Sequence, residues 1–194
     1  MHEVRKATGE DVPELSAALA RAFHEDPVFN WMFPTEAARR RWGGRFFAIR
    51  LRQLLPQDEV YAVDRRGAAV WAQPERWDLG WRGFVDLLPL MAGLGRRILR
   101  ASVGNARMEG LHRRLPPHWY LAVLGVDPPD QGTGMGSALL GPVLDQCDQD
   151  GIGAYLETAT EKDIAFYTRF GFRVTGEIHF PKGPTLWPMW RDPR

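Results

Sequence analysis

Residues 118–149, HWYLAVLGVDPPDQGTGMGSALLGPVLDQCDQ, constrain the fold more than any other part of the chain. An apolar run of strand character leads into a proline turn. Then comes a loop with Gly132, Gly134 and Gly136 at alternate positions, and a helix with Leu139, Leu140, Val143 and Leu144 on one face. A glycine loop that opens a helix presents unpaired backbone N–H groups beside the positive end of the helix dipole. That is an anion site, and phosphate or pyrophosphate is its natural ligand. Pro142 removes a hydrogen bond to Ala138 and predicts a kink, but downstream of the first turn.

The glycine spacing excludes two common phosphate loops. Position 137 is Ser, so the pattern is not the G-x-G-x-x-G of dinucleotide folds, and no βαβ repeat precedes it. No G-x-x-x-x-G-K-[ST] occurs either. A chain of 194 residues suffices for one domain with a sizeable core. Its net charge of +1 gives no general pull toward nucleic acid or anionic membrane. Arg96, Arg97, Arg100, Arg107, Arg113 and Arg114 form a basic cluster, opposed by acids and expected to be a solvated helix face.

The single cysteine, Cys147, falls in step with the apolar helix positions and is expected to be a buried structural thiol. It excludes an internal disulfide and a multi-cysteine metal site, and the five histidines show no metal-ligand spacing, so no metal is expected. The N-terminal MHEVRKATGED lacks the apolar centre of a signal peptide. The longest apolar region, Phe84 to Gly95, is short and broken by Asp86 and Pro89. A cytoplasmic protein with no membrane partner is expected.

Periodicity places the remaining elements. Val4–Ala7 reads as a short strand; Thr8 and Asp11 cap a helix that runs to about His24, where Asp26-Pro27 breaks it. A second helix is predicted over Thr35–Leu55, with a weak point at Gly43-Gly44. Val60–Val63 and Ala68–Ala72 form a hairpin, and residues 77–115 form two or three inserted helices. After the glycine loop and its helix, a strand over Gly153–Thr158, a helix over Asp163–Phe170, and strands over Phe172–Ile178 and Thr185–Trp190 are predicted. The order gives a single α/β (α+β) domain with one mixed sheet covered by helices.

Gln131-Gly132-Thr133-Gly134-Met135-Gly136 matches Q/R-x-x-G-x-G/A, and the later AFYTRFGFRV resembles an FY-x-x-x-GF element. Together with the strand LAVLGV they resemble the GNAT (GCN5-related N-acetyltransferase) superfamily, and the last eighty residues resemble its puromycin N-acetyltransferase branch. The first 115 residues share only the order of elements. The resemblance implies a mostly antiparallel central sheet and acetyl-CoA as co-substrate. It implies coenzyme contacts from Leu124, Gly125 and Val126 on the strand and from Gln131, Gly132, Thr133, Gly134, Met135, Gly136 and Ser137 on the loop. Asp163 stands where the family often has Asn at a further contact.

Acetyl transfer to an amine needs an anchored donor, a neutral amine, donors for the oxyanion and a proton for the thiolate. The loop N–H groups supply the anchor, each favourable dipole contact contributing about 0.3–1 kcal/mol. By resemblance Tyr167 faces the sulfur, and a phenol of pKa near 10 can protonate the departing thiolate. Glu157, alternating with Tyr155 along its strand, is the candidate base, with His118 a second; His24, Glu25 and Asp26 lie where the family binds acceptors. Phe29, Trp31, Met32, Phe33, Trp81 and Phe84 are candidates for binding the acceptor, a small-molecule amine of aromatic or apolar character. Two alternatives are a coenzyme-binding regulatory module and a protein N-acetyltransferase. A monomer or homodimer, with no nucleic-acid partner, is expected.

Overall fold

The computed structural model describes residues 2–77, 90, 95 and 98–194. The sheet runs in the order β1 (Arg5–Lys6), β2 (Val60–Val63), β3 (Gly67–Ala72), β4 (His118–Val126), β5 (Gly153–Thr158), β8 (Thr185–Arg191), β6 (Arg173–Val174), with β7 (Ile178–His179) also paired to β8. Among the described residues only β4 and β5 pair in parallel; the other neighbours are antiparallel. A parallel pair needs a crossover, and α5 (Met135–Asp150) provides it.

Each face of the sheet buries its own core. On one, Val63, Ala69, Trp71, Leu121, Leu156 and Met189 pack under α5 and α6 (Glu161–Thr168). On the other, Ala62, Ala68, Val70, Ala72 and Val123 meet α1 (Val12–Ala22), α2 (Pro27–Met32) and α3 (Glu36–Leu54). Cys147 is fully buried in the first core, and burial pushes its thiol up to about 12.

Local chemistry explains the boundaries. Asp11 accepts from the Thr8 N–H at 2.8 Å and from both Arg5 and Arg65, tying β1, the start of α1 and the β2–β3 turn to one buried carboxylate. Asp26-Pro27 does more than end α1: the Asp26 carboxylate caps α2 by accepting from Phe29 N–H at 2.8 Å, with Pro27 at the first helical position. α3 does not split at Gly43-Gly44, because Gly43 is where Phe29 and Ala20 press against it; an added Cβ would sit 3.1 Å from Phe29 Cζ.

The predicted strand Phe172–Ile178 is two short pieces instead. Both pair with β8, but Thr175 N–H donates to Pro188 O and Pro188 has no N–H to return, so the ladder breaks between them. Residues 78–89 of the predicted insert, with Trp81 and Phe84, lie outside the described residues; α4 (Ile98–His112) forms its C-terminal part. α5 continues past Pro142 to the left-handed Gly151. No helix among the described residues is long and apolar enough to cross a membrane.

Candidate active site

β4 parts from β5 halfway along. The pairing runs from His118↔Gly153 to Leu121↔Leu156 and stops, while β4 continues against β3 as far as Val126. The register with β3 slips between Val70↔Val123 and Trp71↔Leu121, which leaves Ala122 as a bulge. Core membership agrees: Leu121 packs on the α5 side, whereas Ala122 and Val123 both pack on the α1 side.

The register also tells which backbone groups face the opening. Asp127 N–H donates to Arg66 O at 2.7 Å, so alternation commits Gly125 and Val123 to β3. Leu124 and Val126 therefore turn their N–H and C=O groups toward the wedge, where Gln131 Nε2 already donates to Val126 O at 3.1 Å. Gly125, expected to contact the coenzyme, has a different task. A Cβ there would lie 2.6 Å from Leu19 Cδ2 and 2.9 Å from Phe23 Cε2, so it is the gap that lets α1 close over the strand.

The glycine loop stands at the open end of this wedge. Gly132 and Gly134 have φ of +79° and +90°, and a Cβ at either would meet nothing within 4 Å. Glycine is needed there for conformation, and the space beside the backbone is free. Gly134 caps α5, whose first hydrogen bond runs from Ala138 N–H to Gly134 O at 3.0 Å. The N–H groups of Met135, Gly136 and Ser137 precede that bond and aim out of the helix. Thr133 is held by its hydroxyl on Asp130 O at 2.7 Å. These features fit a pyrophosphate at the loop and an extended chain along Leu124 and Val126.

Titratable groups flank the wedge on both faces. Tyr167 belongs to the α5-side core with Phe166 and Phe172 against its ring, and burial pushes its hydroxyl well above the usual tyrosine range. On the opposite face Glu157, its side chain 3% exposed, sits among His112, Tyr120 and Tyr155. His112 Nε2 lies 3.5 Å from Glu157 Oε1, and His112 Nδ1 lies 2.9 Å from His118 Nε2. Burial raises the hydroxyls of Tyr120 and Tyr155, with the Glu157 charge adding to both. Among the described residues no cluster of three or more His, Cys, Asp or Glu suits a metal ion.

A sequence profile of the GNAT acetyltransferase domain matches residues 93–192. The chain belongs to the GNAT acetyltransferase family. An uncharacterised N-acetyltransferase of Schizosaccharomyces pombe is 24% identical across 95% of this chain and 80% of its own length. The N-alpha-acetyltransferase RimI of Mycobacterium tuberculosis is 36% identical across 51% of this chain and 65% of its own. Among solved structures, a Corynebacterium glutamicum protein described as histone acetyltransferase HPA2 and related acetyltransferase superposes over 100% of this chain and 98% of its own. Its TM-score is 0.71 and its identity 22%. A Drosophila melanogaster polyamine N-acetyltransferase superposes over 99% of this chain and 100% of its own, at TM-score 0.66 and 16% identity. Both share the fold, a mostly antiparallel sheet flanked by helices. This GNAT chain is accordingly an acetyl-CoA-dependent N-acetyltransferase, acting on an amine.

The other candidate residues separate by burial. Phe29 and Phe33, 3% and 0% exposed, pack with Phe46 and Phe47 in the core, so Phe29 has almost no surface to offer an acceptor. Trp31 and Met32 are half-buried; Trp31 Nε1 donates to Lys182 O at 3.1 Å and its ring meets Phe180. Asp163 Oδ2 accepts from the hydroxyls of Thr160 and Thr158 at 2.6 and 3.3 Å, which makes it half of the α6 cap. Burial raises the Asp26 carboxyl, and the Asp163 charge adds a little in the same direction. His24 pairs at 3.6 Å with Glu25 at the surface. His112 and Tyr120 were not singled out by the sequence. Tyr120 was legible by period two from His118, whereas His112 arrives from a separate helix.

Proposed function

We propose that this GNAT enzyme acetylates a primary amine of a small molecule in the cytoplasm, by direct attack within a ternary complex. The observation that carries the proposal is the opening between β4 and β5, with a backbone edge at Leu124 and Val126 that no strand among the described residues pairs, and titratable side chains on its two faces. Acetyl-CoA supplies the acetyl thioester; the residues of the chain hold it and move protons. Gly132 to Ser137 bind the pyrophosphate, and a β4 N–H points at the thioester carbonyl, where a donor fixed in advance is worth most. Glu157 takes the proton of the incoming amine. Tyr167, kept protonated by burial, donates to the thiolate as it leaves. Base and acid thus stand on opposite faces of the wedge and do not compete for one proton.

The acceptor side is aromatic and carries carboxylates, through Trp31, Met32, Asp26 and Asp163, which suits a compact cationic amine with an apolar body. The polyamine N-acetyltransferase neighbour supports a small amine. The RimI relative favours a second reading, a protein N-terminus as acceptor. A panel of aromatic amines, polyamines, an antibiotic amine and N-terminal peptides, assayed for release of free coenzyme A, separates the two. Turnover of small amines is expected; reaction with the peptides alone would overturn it.

A further inference from the structure

Behind Glu157 lies a chain of imidazoles whose direction is set by the backbone. His118 Nδ1 is 2.7 Å from Pro116 O, and a carbonyl oxygen only accepts, so that nitrogen carries the hydrogen. Burial lowers the His118 pKa and keeps the ring neutral, which leaves Nε2 as a lone pair. The 2.9 Å contact then requires the hydrogen on His112 Nδ1. What remains is His112 Nε2, a vacant proton acceptor 3.5 Å from Glu157 Oε1.

The rings are clamped. Trp77 stacks on His112 at 4.5 Å, and the Tyr120 and Tyr155 rings stand steeply to it with centroids 4.5 and 4.8 Å away. Both histidines also line a surface cavity of about 350 Å³ rimmed by Glu75, Arg113 and Pro116, away from the glycine loop. The titratable and charged groups around the pair are Glu157 and Tyr155 from β5, Tyr120 from β4 and Arg50 from α3, with Glu75 and Arg113 at the cavity.

We propose that His112 and His118 are positioning residues forming a one-way proton relay that empties Glu157 toward this cavity. The idea rests on Glu157 being the base. The acceptor N–H bond breaks and its proton joins the Glu157 carboxylate. The carboxyl O–H then breaks as an N–H forms at His112 Nε2. The resulting imidazolium is held by its Nδ1–H on the His118 lone pair until water from the cavity takes the Nε2 proton as hydronium, which returns His112 to its resting tautomer. No electrons are exchanged and Glu157 returns as a carboxylate.

A vacant lone pair beside the carboxylate favours a shared proton and so raises the pH at which the pair empties; removing it should lower that pH. In His112→Phe the rising limb of kcat/KM for the amine should move about one pH unit toward acid, with acetyl-CoA affinity unchanged. His118→Phe should move it the same way by less, and His118→Gln, whose amide oxygen can accept from His112, should restore it. An unmoved limb in His112→Phe overturns the relay. Long-range ¹H–¹⁵N NMR of the unmodified protein tests it even where a variant fails to fold. The Nδ1–H tautomer of His118 is expected through neutral pH, and an Nε2–H tautomer would reject the relay. A protein without turnover would lose every rate yet still report the tautomer, so failure of the relay and failure of the enzymatic reading are distinguishable.

Discussion

The two sides of the wedge are built from different materials. On the proposed coenzyme side the candidate groups are main-chain: the edge of Leu124 and Val126, and the N–H groups from Gly132 to Ser137 at the start of α5. Side chains there mostly stay out of the way, as the open space beside Gly132 and Gly134 shows. On the proposed acceptor side the candidate groups are side chains brought from far apart: His112 from α4, Tyr120 from β4, Glu157 from β5 and Asp26 from the cap of α2. A site made of backbone leaves a pattern in the sequence, because only certain residues permit the conformation. A site made of converging side chains leaves its pattern in three dimensions.

The sharpest way to break that comparison is at Tyr167, the side chain proposed to donate a proton on the coenzyme side. Tyr167→Phe removes the proton donor while keeping the ring packed on Phe166 and Phe172. A loss of kcat of about 10²–10⁴-fold is expected, with the dissociation constant of acetyl-CoA unchanged. Stopped-flow turnover together with calorimetric titration of the coenzyme reads both. An equal loss of affinity would mean that Tyr167 only shapes the pocket. Because burial raises its pKa, no alkaline loss of rate from this group is expected below pH 10.

The same contrast explains what the sequence made legible. The αL requirement at Gly132 and Gly134, the strand before them and the α5 helix were readable, since each is local. The coenzyme contact expected of Gly125 comes from the family resemblance alone; its packing partners, Leu19 and Phe23, are a hundred residues away and invisible to a local reading. Phe29 looked like an acceptor contact because aromatic composition does not distinguish a core ring from a pocket ring. Asp26-Pro27 read as a helix stop, although the same pair also starts a helix.

A second test asks whether the acceptor half depends on buried charge as the coenzyme half depends on backbone. Asp11 is 1% exposed and held by Arg5 at 2.7 Å and by Arg65 at 2.8 Å. Asp11→Asn should cost about 2 kcal/mol, less than a fully buried pair because both arginines reach solvent. Arg5 holds this carboxyl well below its ordinary value of 3.8. Its contribution is therefore complete above that value and is lost as pH falls through the lower folded one. Denaturant unfolding at pH 7 and pH 3 should show the gap between the two proteins shrinking in acid.

On the coenzyme side the matching change is Gly134→Ala. At φ +90° a Cβ costs about 1–2 kcal/mol of backbone strain and tilts the N–H groups of the first turn. About tenfold weaker acetyl-CoA binding is expected, with kcat at saturation nearly unchanged. Should kcat fall and affinity hold, the loop would be acting on the chemistry and not as an anchor.

The smallest effect discriminates best, because it compares neighbours. Gly43 and Gly44 both lie inside α3, where alanine is intrinsically favoured by about 0.8–1 kcal/mol. An added Cβ at Gly44 meets nothing within 4 Å, so Gly44→Ala should stabilise the protein by about that amount. At Gly43 the Cβ would lie 3.1 Å from Phe29 Cζ and 3.2 Å from Ala20 Cβ, pushing α3 off α1 and α2. Gly43→Ala should therefore gain nothing or destabilise, and loosen the tilted Phe29–Phe47 contact in the core beside α2. Thermal unfolding of the two variants side by side tests this. Equal stabilisation would show that the aromatic core under the acceptor side has slack, and that side would then owe its shape to something other than close packing.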